Sequence, residues 1–589
     1  MTRVVIGFIV IAAGLGAVIA LLPSPSEKTL PPPLLITDVR VFDGTRFEEA
    51  RTVLVEEGRI AAVGEDLQAP PGAQVINAAG LTALPGLIDA HTHTWGRGLG
   101  DALSFGVTTH LDMFSTPMQL PQARADRQDL TVRDRADLYS AGMLATVDDG
   151  HGTQFGVPVD TLSGPDEAEA WVLERVQEGS DYIKLVYLPG SRRFESLDLA
   201  TATALIEAAH AAGLSAVAHI STQDAAKEMI AAGIDGLVHV FADTAVDAEF
   251  LAAARQAEIF VVPTLAVVAS AAGTDDGAAL AADPRVAARL SRSALRGLEG
   301  GFGAAPSALF QYPLAEANVR AMHEAGIAIL AGSDAPNPGT AYGASLHQEL
   351  QLLTQAGLSV RDALHAATQA PADLFQLGDR GRIAPGARAD LVLVEGDPRA
   401  DIAATLSIAH VIRNGAVLET GASGDEASGG AALETGDIGA FDAPTNGFGW
   451  IETADTLAGG NSQAANTVNE GVLRTEIAVQ AGFFAPWAGA AYFPAATDSA
   501  ALDVSDHAVL VLRLRAQAGG YRVMVFNPGL VGAPPEIALS LDERWRTVRL
   551  DLTEVEGFDV QALAGLAVVG GPELGQAWIE IAEARFEAG

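Results

Sequence analysis

Residues 87–95, LIDAHTHTW, decide how the rest of the chain is read. The stretch opens as an apolar strand and closes on His91 and His93, two positions apart. Alternate residues of a strand point to one face, so both imidazoles lie on the same side. Two desolvated imidazoles packed together need a common partner, and metal binding answers that need. The device recurs downstream. SAVAHI (215–220) and DGLVHV (235–240) each end an apolar run on a histidine, His219 and His239, twenty residues apart, a gap that fits one helix and the return to the next strand. IAILAGSD (327–334) ends on Asp334.

Outward from these motifs, residues 86–377 repeat a short apolar strand followed by an Ala-rich helical stretch, as in YIKLVYL (182–188) and IFVVPTL (259–265). Strands alternating with helices over about 250 residues or more argue for an α/β fold with a parallel sheet, closed at this size into a (β/α)8 TIM barrel. Active sites of such barrels sit at the C-terminal ends of the strands, where these five side chains fall. The connection at 268–311 is long and Ala-rich and predicts a helical cap over the mouth.

Either side of the barrel the period changes to two. LLITDVRVFDG (34–44) and RTVLVEEGRIAAVG (51–64) alternate apolar and polar residues between Asp-Gly and Glu-Gly turns. Residues 378–419 return to strands and are expected to pair with 34–85 in a small composite β-sandwich. A Gly/Ser/Ala/Glu-rich linker follows at 420–438, then strand-like runs over 439–589 that predict an all-β domain.

Composition narrows the chemistry. The chain has 589 residues, too many for one ordinary domain, with 49% hydrophobic and 19% charged residues, so large cores are feasible. A net charge of −38 repels nucleic acid and anionic lipid, so neither is expected as a partner. With no cysteine, disulfides, thiolate metal sites and cysteine nucleophiles are excluded. Arg3 precedes an apolar run at 4–22, followed by a Pro-rich stretch to residue 33. The run reads as an uncleaved signal anchor or a cleaved signal peptide, the anchor being favoured. Either way an exported protein is expected, periplasmic or extracellular, with any membrane contact confined to this segment.

The chain holds three lysines, Lys28, Lys184 and Lys227, and Lys184 lies inside the apolar run SDYIKLVYL. An unpaired ammonium facing a barrel interior is costly. Carboxylation by carbon dioxide makes it an anionic carbamate able to bridge two cations. The alternatives are a lysine facing outward or one paired with an interior carboxylate.

ALPGLIDAHTH, FGVTTHLDM, DYIKLVYL, the run from AVAHIS to GLVHV, ILAGSDA and 345–398, ending ADLVLVEGDP, together resemble the amidohydrolase superfamily over residues 34–418. Within it the chain is similar to the imidazolonepropionase-related group that includes metal-dependent Xaa-Pro dipeptidases, Lys184 pointing to the two-metal branch. The resemblance implies that His91, His93 and Asp334 hold one divalent ion and His219 and His239 the other, with carboxylated Lys184 bridging and zinc as the favoured metal. It further implies a shared water activated at neutral pH, with Asp334 as general base and then acid. His151, in DDGHGTQFG (148–156), occupies a Gly-His-Gly that faces substrate in the family; substrate contact or oxyanion stabilisation is expected of it. Tyr187 is a second candidate for substrate contact. His110 is not taken as a ligand, and His347, near Glu349, is weighed as a support for the site.

The expected activity is hydrolysis of amide C–N bonds in small substrates such as dipeptides or N-acyl amino acids. A lactone or ester hydrolase using the same site, or an exported binding protein with an inactive barrel, remain the competing readings. Phe441, Trp450, DTLAGGNS (455–462), Gly471, GFF (482–484) and Trp545 resemble the complex I intermediate-associated domain, a galactose-binding-like jelly roll. That resemblance implies a carbohydrate or protein contact.

Overall fold

A computed structural model describes residues 30–418, apart from 96–97, 156–158, 275 and 303–310. In the C-terminal part it describes 431–432, 438, 449–454, 462–469, 471–480, 486–493, 502–527, 534–573 and 575–588. The N-terminal apolar run and most of the linker lie outside the described residues, as do Phe441 and 482–484. Among the described residues no helix is long and apolar enough to cross a membrane.

Eight short parallel strands carry the site: β1 (Leu87–Thr92), β2 (Val107–Asp112), β3 (Asp137–Ser140), β4 (Ile183–Val186), β5 (Ala216–His219), β6 (Gly236–Val238), β7 (Phe260–Val262) and β8 (Ala328–Ile329). Helices separate them, and the chemistry of their ends recurs. Asp198, Thr222 and Asp247 cap Leu199–Ala211, Gln223–Ala231 and Ala248–Gln256 by accepting from the backbone N–H three residues on. The first two stop at Ala-Ala-Gly, where Gly213 and Gly233 take the left-handed turn that ends a helix without a Cβ penalty. The long β7–β8 connection contains helices including Asp276–Ala281 and Arg292–Glu299; the Gly297 carbonyl accepts from Gly339 N, and Ser270 donates to Pro338 O, tying it to the loop after Asp334.

The strands do not form one continuous sheet. β1 to β3 make one sheet and β4 to β8 another. Strands of two to six residues leave little ladder at the seams, and single bridges join Ala145 to Leu185 and Thr92 to Ala335. Backbone bonds support both: Ala145 N to Lys184 O at 2.8 Å on one side, Ala90 N to Ala331 O at 2.9 Å and Asp334 N to His91 O at 2.8 Å on the other.

Strand side chains divide between two cores. Ile88, Leu111, Met113, Tyr182, Val217, Val238, Phe260 and Leu330 pack inward together, with Phe375 set edge-on to Tyr182 at 5.0 Å. The alternate positions meet the helices in a much larger cluster. Filling the strand interior with aromatic and branched side chains leaves the strand ends as the place for polar chemistry.

Strands from both flanks of this unit join in one eight-stranded sheet, where Leu81–Pro85 pairs antiparallel with Leu391–Glu395. Its hairpins turn on Glu57-Gly58 and Asn414-Gly415, all four residues at positive φ, the backbone that two-residue turns between twisted strands require. Asp137, at the start of β3, lies against this sheet beneath three guanidiniums, those of Arg380, Arg388 and Arg413. The C-terminal part forms two five-stranded antiparallel sheets around a shared core that includes Leu473, Leu512, Val568 and Ile579.

Candidate active site

His91 is the penultimate residue of β1 and His93 follows the strand; His219 closes β5, His239 directly follows β6, and Asp334 lies on the segment leading away from β8. The Nε2 atoms of His91 and His93 approach Asp334 Oδ1 to 3.3 and 3.0 Å. His239 Nδ1 lies 4.0 Å from Asp334 Oδ2. His239 Nε2 and His219 Nδ1 face each other at 3.0 Å. One ligand atom each from His91, His239 and Asp334 falls within a 4.8 Å group. Lys184, in the middle of β4, is 2% exposed. Burial brings its ammonium down to about 7, against the opposing pull of Asp334 and Asp112.

The fit of this set to divalent cations rests on its orphaned atoms. Both ring nitrogens of His91, Nδ1 of His93 and Oδ1 of Asp334 are buried without a completed hydrogen bond. Orphaned buried polar atoms cost about 1–3 kcal/mol each. A neutral imidazole carries one N–H and one lone pair, so His91 and His93 offer one nitrogen lone pair each, and with the Asp334 carboxylate they form a donor set that suits zinc and similar ions. Burial also keeps the imidazoles neutral, the ligating form: that of His91 falls to about 4, and those of His219 and His239 lie well below the usual value. Burial alone would raise Asp334, but His91, His93 and His239 around it hold the carboxyl well below the usual range.

Backbone conformation marks the same residues. His239 (φ 67°), Asp334 (φ 55°) and Thr264 (φ 51°) are left-handed without being glycine, a strain of about 1–3 kcal/mol each that clusters where geometry is over-determined. Gly332 lets β8 approach β1. A Cβ there would lie 2.8 Å from both Cβ and N of His91, and 2.6 Å from Val262 Cγ1.

His151 joins the cluster from the loop after β3, its ring 4.8 Å from that of His219. Gly152 N donates to Gln154 Oε1 at 2.7 Å, which fixes the amide and directs Gln154 Nε2 to His151 Nδ1 at 3.0 Å. Nδ1 is thereby the acceptor and Nε2 carries the proton of the neutral ring. Burial lowers His151 to about 4, with Lys184 and His93 adding to the effect.

Two of the weighed candidates lie away from the cluster. Tyr187 does not face the cluster: lying one residue beyond β4, it packs with the outer core and donates to Glu228 Oε2 at 2.5 Å, because residues three apart on a strand take opposite faces. His347 does not support the site, since its Nδ1 meets Thr405 Oγ1 and its Nε2 the Phe105 carbonyl. His110 stays outside the cluster, bonding Thr94 and stacking on Tyr342. Residues that pattern reading missed are Gln154, Thr264, whose Oγ1 is 2.7 Å from His239 Nδ1, and Glu349. A lone threonine near the end of IFVVPTL and a glutamate inside an apolar helix were the available signals.

Comparison with known proteins agrees with this geometry. The model of the Amidohydrolase family matches residues 82–418. The imidazolonepropionase of Deinococcus deserti is 27% identical over 410 residues, covering 66% of this chain and 95% of that protein. The dihydroorotase of Geobacter sulfurreducens is 48% identical, but over 67 residues, 11% of this chain and 16% of that protein. Among solved structures, a Xaa-Pro dipeptidase with bound methionine in its active site superposes with a TM-score of 0.54 at 20% identity, covering 66% of this chain and 100% of the other. The ochratoxinase of A. niger gives 0.53 at 19% identity, with 67% and 99% covered. With a family match over more than half its length, on the segment that brings these histidines and Asp334 together, the chain belongs to the amidohydrolase family.

Proposed function

We propose that this amidohydrolase cleaves amide C–N bonds in small peptide-like substrates, dipeptides or N-acyl amino acids, with two divalent cations at the cluster. The observation that carries the reading is the convergence of His91, His93, His219, His239 and Asp334 beside buried Lys184. We read the two parallel sheets as arcs of one (β/α)8 barrel, on the strength of the backbone bonds at both seams. His91, His93 and Asp334 would hold one cation, His219 and His239 the other, with Lys184 between them as a carbamate. Bound there, the cations supply Lewis acidity towards the scissile carbonyl and lower the pKa of water.

The chain's own residues do the rest. Asp334, held ionised by the surrounding imidazoles, accepts the proton of the attacking water through a carboxylate oxygen. It then returns that proton to the departing nitrogen, which leaves as a neutral amine. His151 presents Nε2–H, the donor needed where negative charge develops on the carbonyl oxygen. Burial of the cluster strengthens both interactions by excluding bulk water.

For the flanking segments, we propose that residues 4–22 tether an exported protein and that the C-terminal sandwich, read as galactose-binding-like, contacts carbohydrate or protein. Cell fractionation and glycan binding by the full chain test these two readings.

The activity is tested by assaying the zinc-reconstituted protein against Xaa-Pro dipeptides, N-acyl amino acids and lactones in parallel. Faster turnover of an amide class supports the reading. Turnover of lactones alone moves the assignment to ester chemistry, and inertness towards all three leaves a binding protein.

A further inference from the structure

His239 is held from behind by a relay that begins on a distant helix. Its Nδ1 meets Thr264 Oγ1 at 2.7 Å, leaving Nε2 to face His219 Nδ1. Thr264 is fully buried and sits in the left-handed region, which a β-branched residue rarely adopts unless its neighbours impose it. The next two backbone N–H groups, of Leu265 and Ala266, begin helix α1 (Leu265–Ala271). Both donate to one carboxyl: Leu265 N to Glu349 Oε1 at 3.0 Å and Ala266 N to Glu349 Oε2 at 2.8 Å. Glu349 is fully buried in helix α2 (Ala344–Gln355), more than eighty positions further along the chain.

The two carboxyl oxygens therefore fix consecutive peptide planes, and these set the backbone of Thr264. Backbone bonds from His239 N to Val262 O at 3.0 Å and Val240 N to Pro263 O at 3.2 Å tie the same turn to the end of β6. Thr264 presents its hydroxyl to the inner ring nitrogen and so selects which His239 nitrogen carries the free lone pair. A buried carboxyl that only capped a seven-residue helix would need no strained threonine between it and a histidine.

We propose that Glu349, acting through Thr264, is a positioning residue that fixes the tautomer and aim of His239 and so sets cation affinity at the His219–His239 position. The inference rests on the two-cation reading given above. Partners of this kind contribute about 10–100-fold in metal affinity.

The experiment titrates full-length, chelator-stripped protein with zinc by calorimetry in bicarbonate buffer. Wild type is compared with Glu349→Gln, Thr264→Ala and Thr264→Ser. Expected are two binding events in wild type and a second event weakened about 10–100-fold in Glu349→Gln and in Thr264→Ala. The first event should be unchanged, and Thr264→Ser, which keeps a hydroxyl, should restore the second. Combining Glu349→Gln with Thr264→Ala should weaken it no further than either alone, since both cut one relay. If Glu349→Gln fails to fold, the Ala and Ser variants at Thr264 decide alone. Wild-type affinity in Glu349→Gln or in Thr264→Ala, or equal weakening by Ser and Ala, overturns the proposal. Wild type that binds no zinc defeats the two-cation reading instead.

Discussion

Asp137→Asn exchanges a carboxylate for a near-isosteric amide and deprives a buried arginine cluster of its central charge. Asp137 is 1% exposed and takes Arg413 Nη2 at 2.5 Å, Arg380 Nε at 2.9 Å and Arg388 Nη1 at 3.5 Å, with a further contact from Arg380 Nη2. Burial alone would raise its carboxyl, yet Arg413, Arg380 and Arg388 bring it down from 3.8 to about 2. That depression stabilises the folded chain at neutral pH by an amount on the order of 2 kcal/mol. Leaving guanidiniums buried with less countercharge adds to it, although Asp390 still meets Arg413 at 2.6 Å and Asp379 meets Arg380 at 2.9 Å. Breaking buried pairs costs about 3–5 kcal/mol, so about 3 is expected here.

Because the folded value is depressed, the stabilisation is present above pH 3.8 and lost as pH falls through about 2; at pH 7 it is complete. A chain of several domains need not unfold in one step, so amide hydrogen exchange read peptide by peptide is the suitable assay. Exchange limited by opening between β3 and strand Ile408–Arg413, which carries Arg413, should accelerate about 100-fold at pH 7. Asp134→Asn, which breaks the exposed Asp134–Arg135 pair, should change exchange less than about twofold. Equal, small effects from the two variants would refute the argument that burial makes the Asp137 charge matter.

Gly332→Ala should push β8 away from His91, lowering thermal stability by about 1–3 kcal/mol and reducing zinc content on elemental analysis; normal zinc content counts against the close approach. Asp334→Asn should lower kcat about 100- to 10,000-fold in single-turnover assays at saturating zinc, whereas a loss under tenfold removes Asp334 from proton transfer. His347 is buried and neutral, its pKa lowered to about 4, first by burial. The unfolded chain then takes up a proton first, so His347 contributes stability above pH 6.5 that disappears as pH falls towards 4. Chelator-stripped His347→Gln should lose less stability than wild type between pH 7 and 5 in denaturant titrations, and parallel losses would contradict this.

Much of the site was legible because its residues end apolar strands. His91, His93, His219, His239 and Asp334 each interrupt a run that has no other use for a polar group, and strand geometry sends them to one end. Tyr187, a candidate for substrate contact, lies elsewhere for the converse reason. It ends the same run as Lys184, but three positions along, and parity alone sends it to Glu228. Thr264 and Glu349 were not legible as a pair, since no local pattern joins residues more than eighty positions apart. Asp137 with its three arginines was hidden likewise, its partners lying beyond residue 379. The strands of 34–85 and 378–419 were readable from their period, whereas the division of the parallel strands into two sheets depends on ladder lengths at the seams that composition does not encode.

Elemental analysis of the full chain, purified without chelator and reconstituted with zinc in bicarbonate, bears most directly on the cluster. Two zinc ions per chain are predicted, falling to one or none in Lys184→Ala. A protein that retains no divalent ion under these conditions, with its fold intact by circular dichroism, would contradict the account.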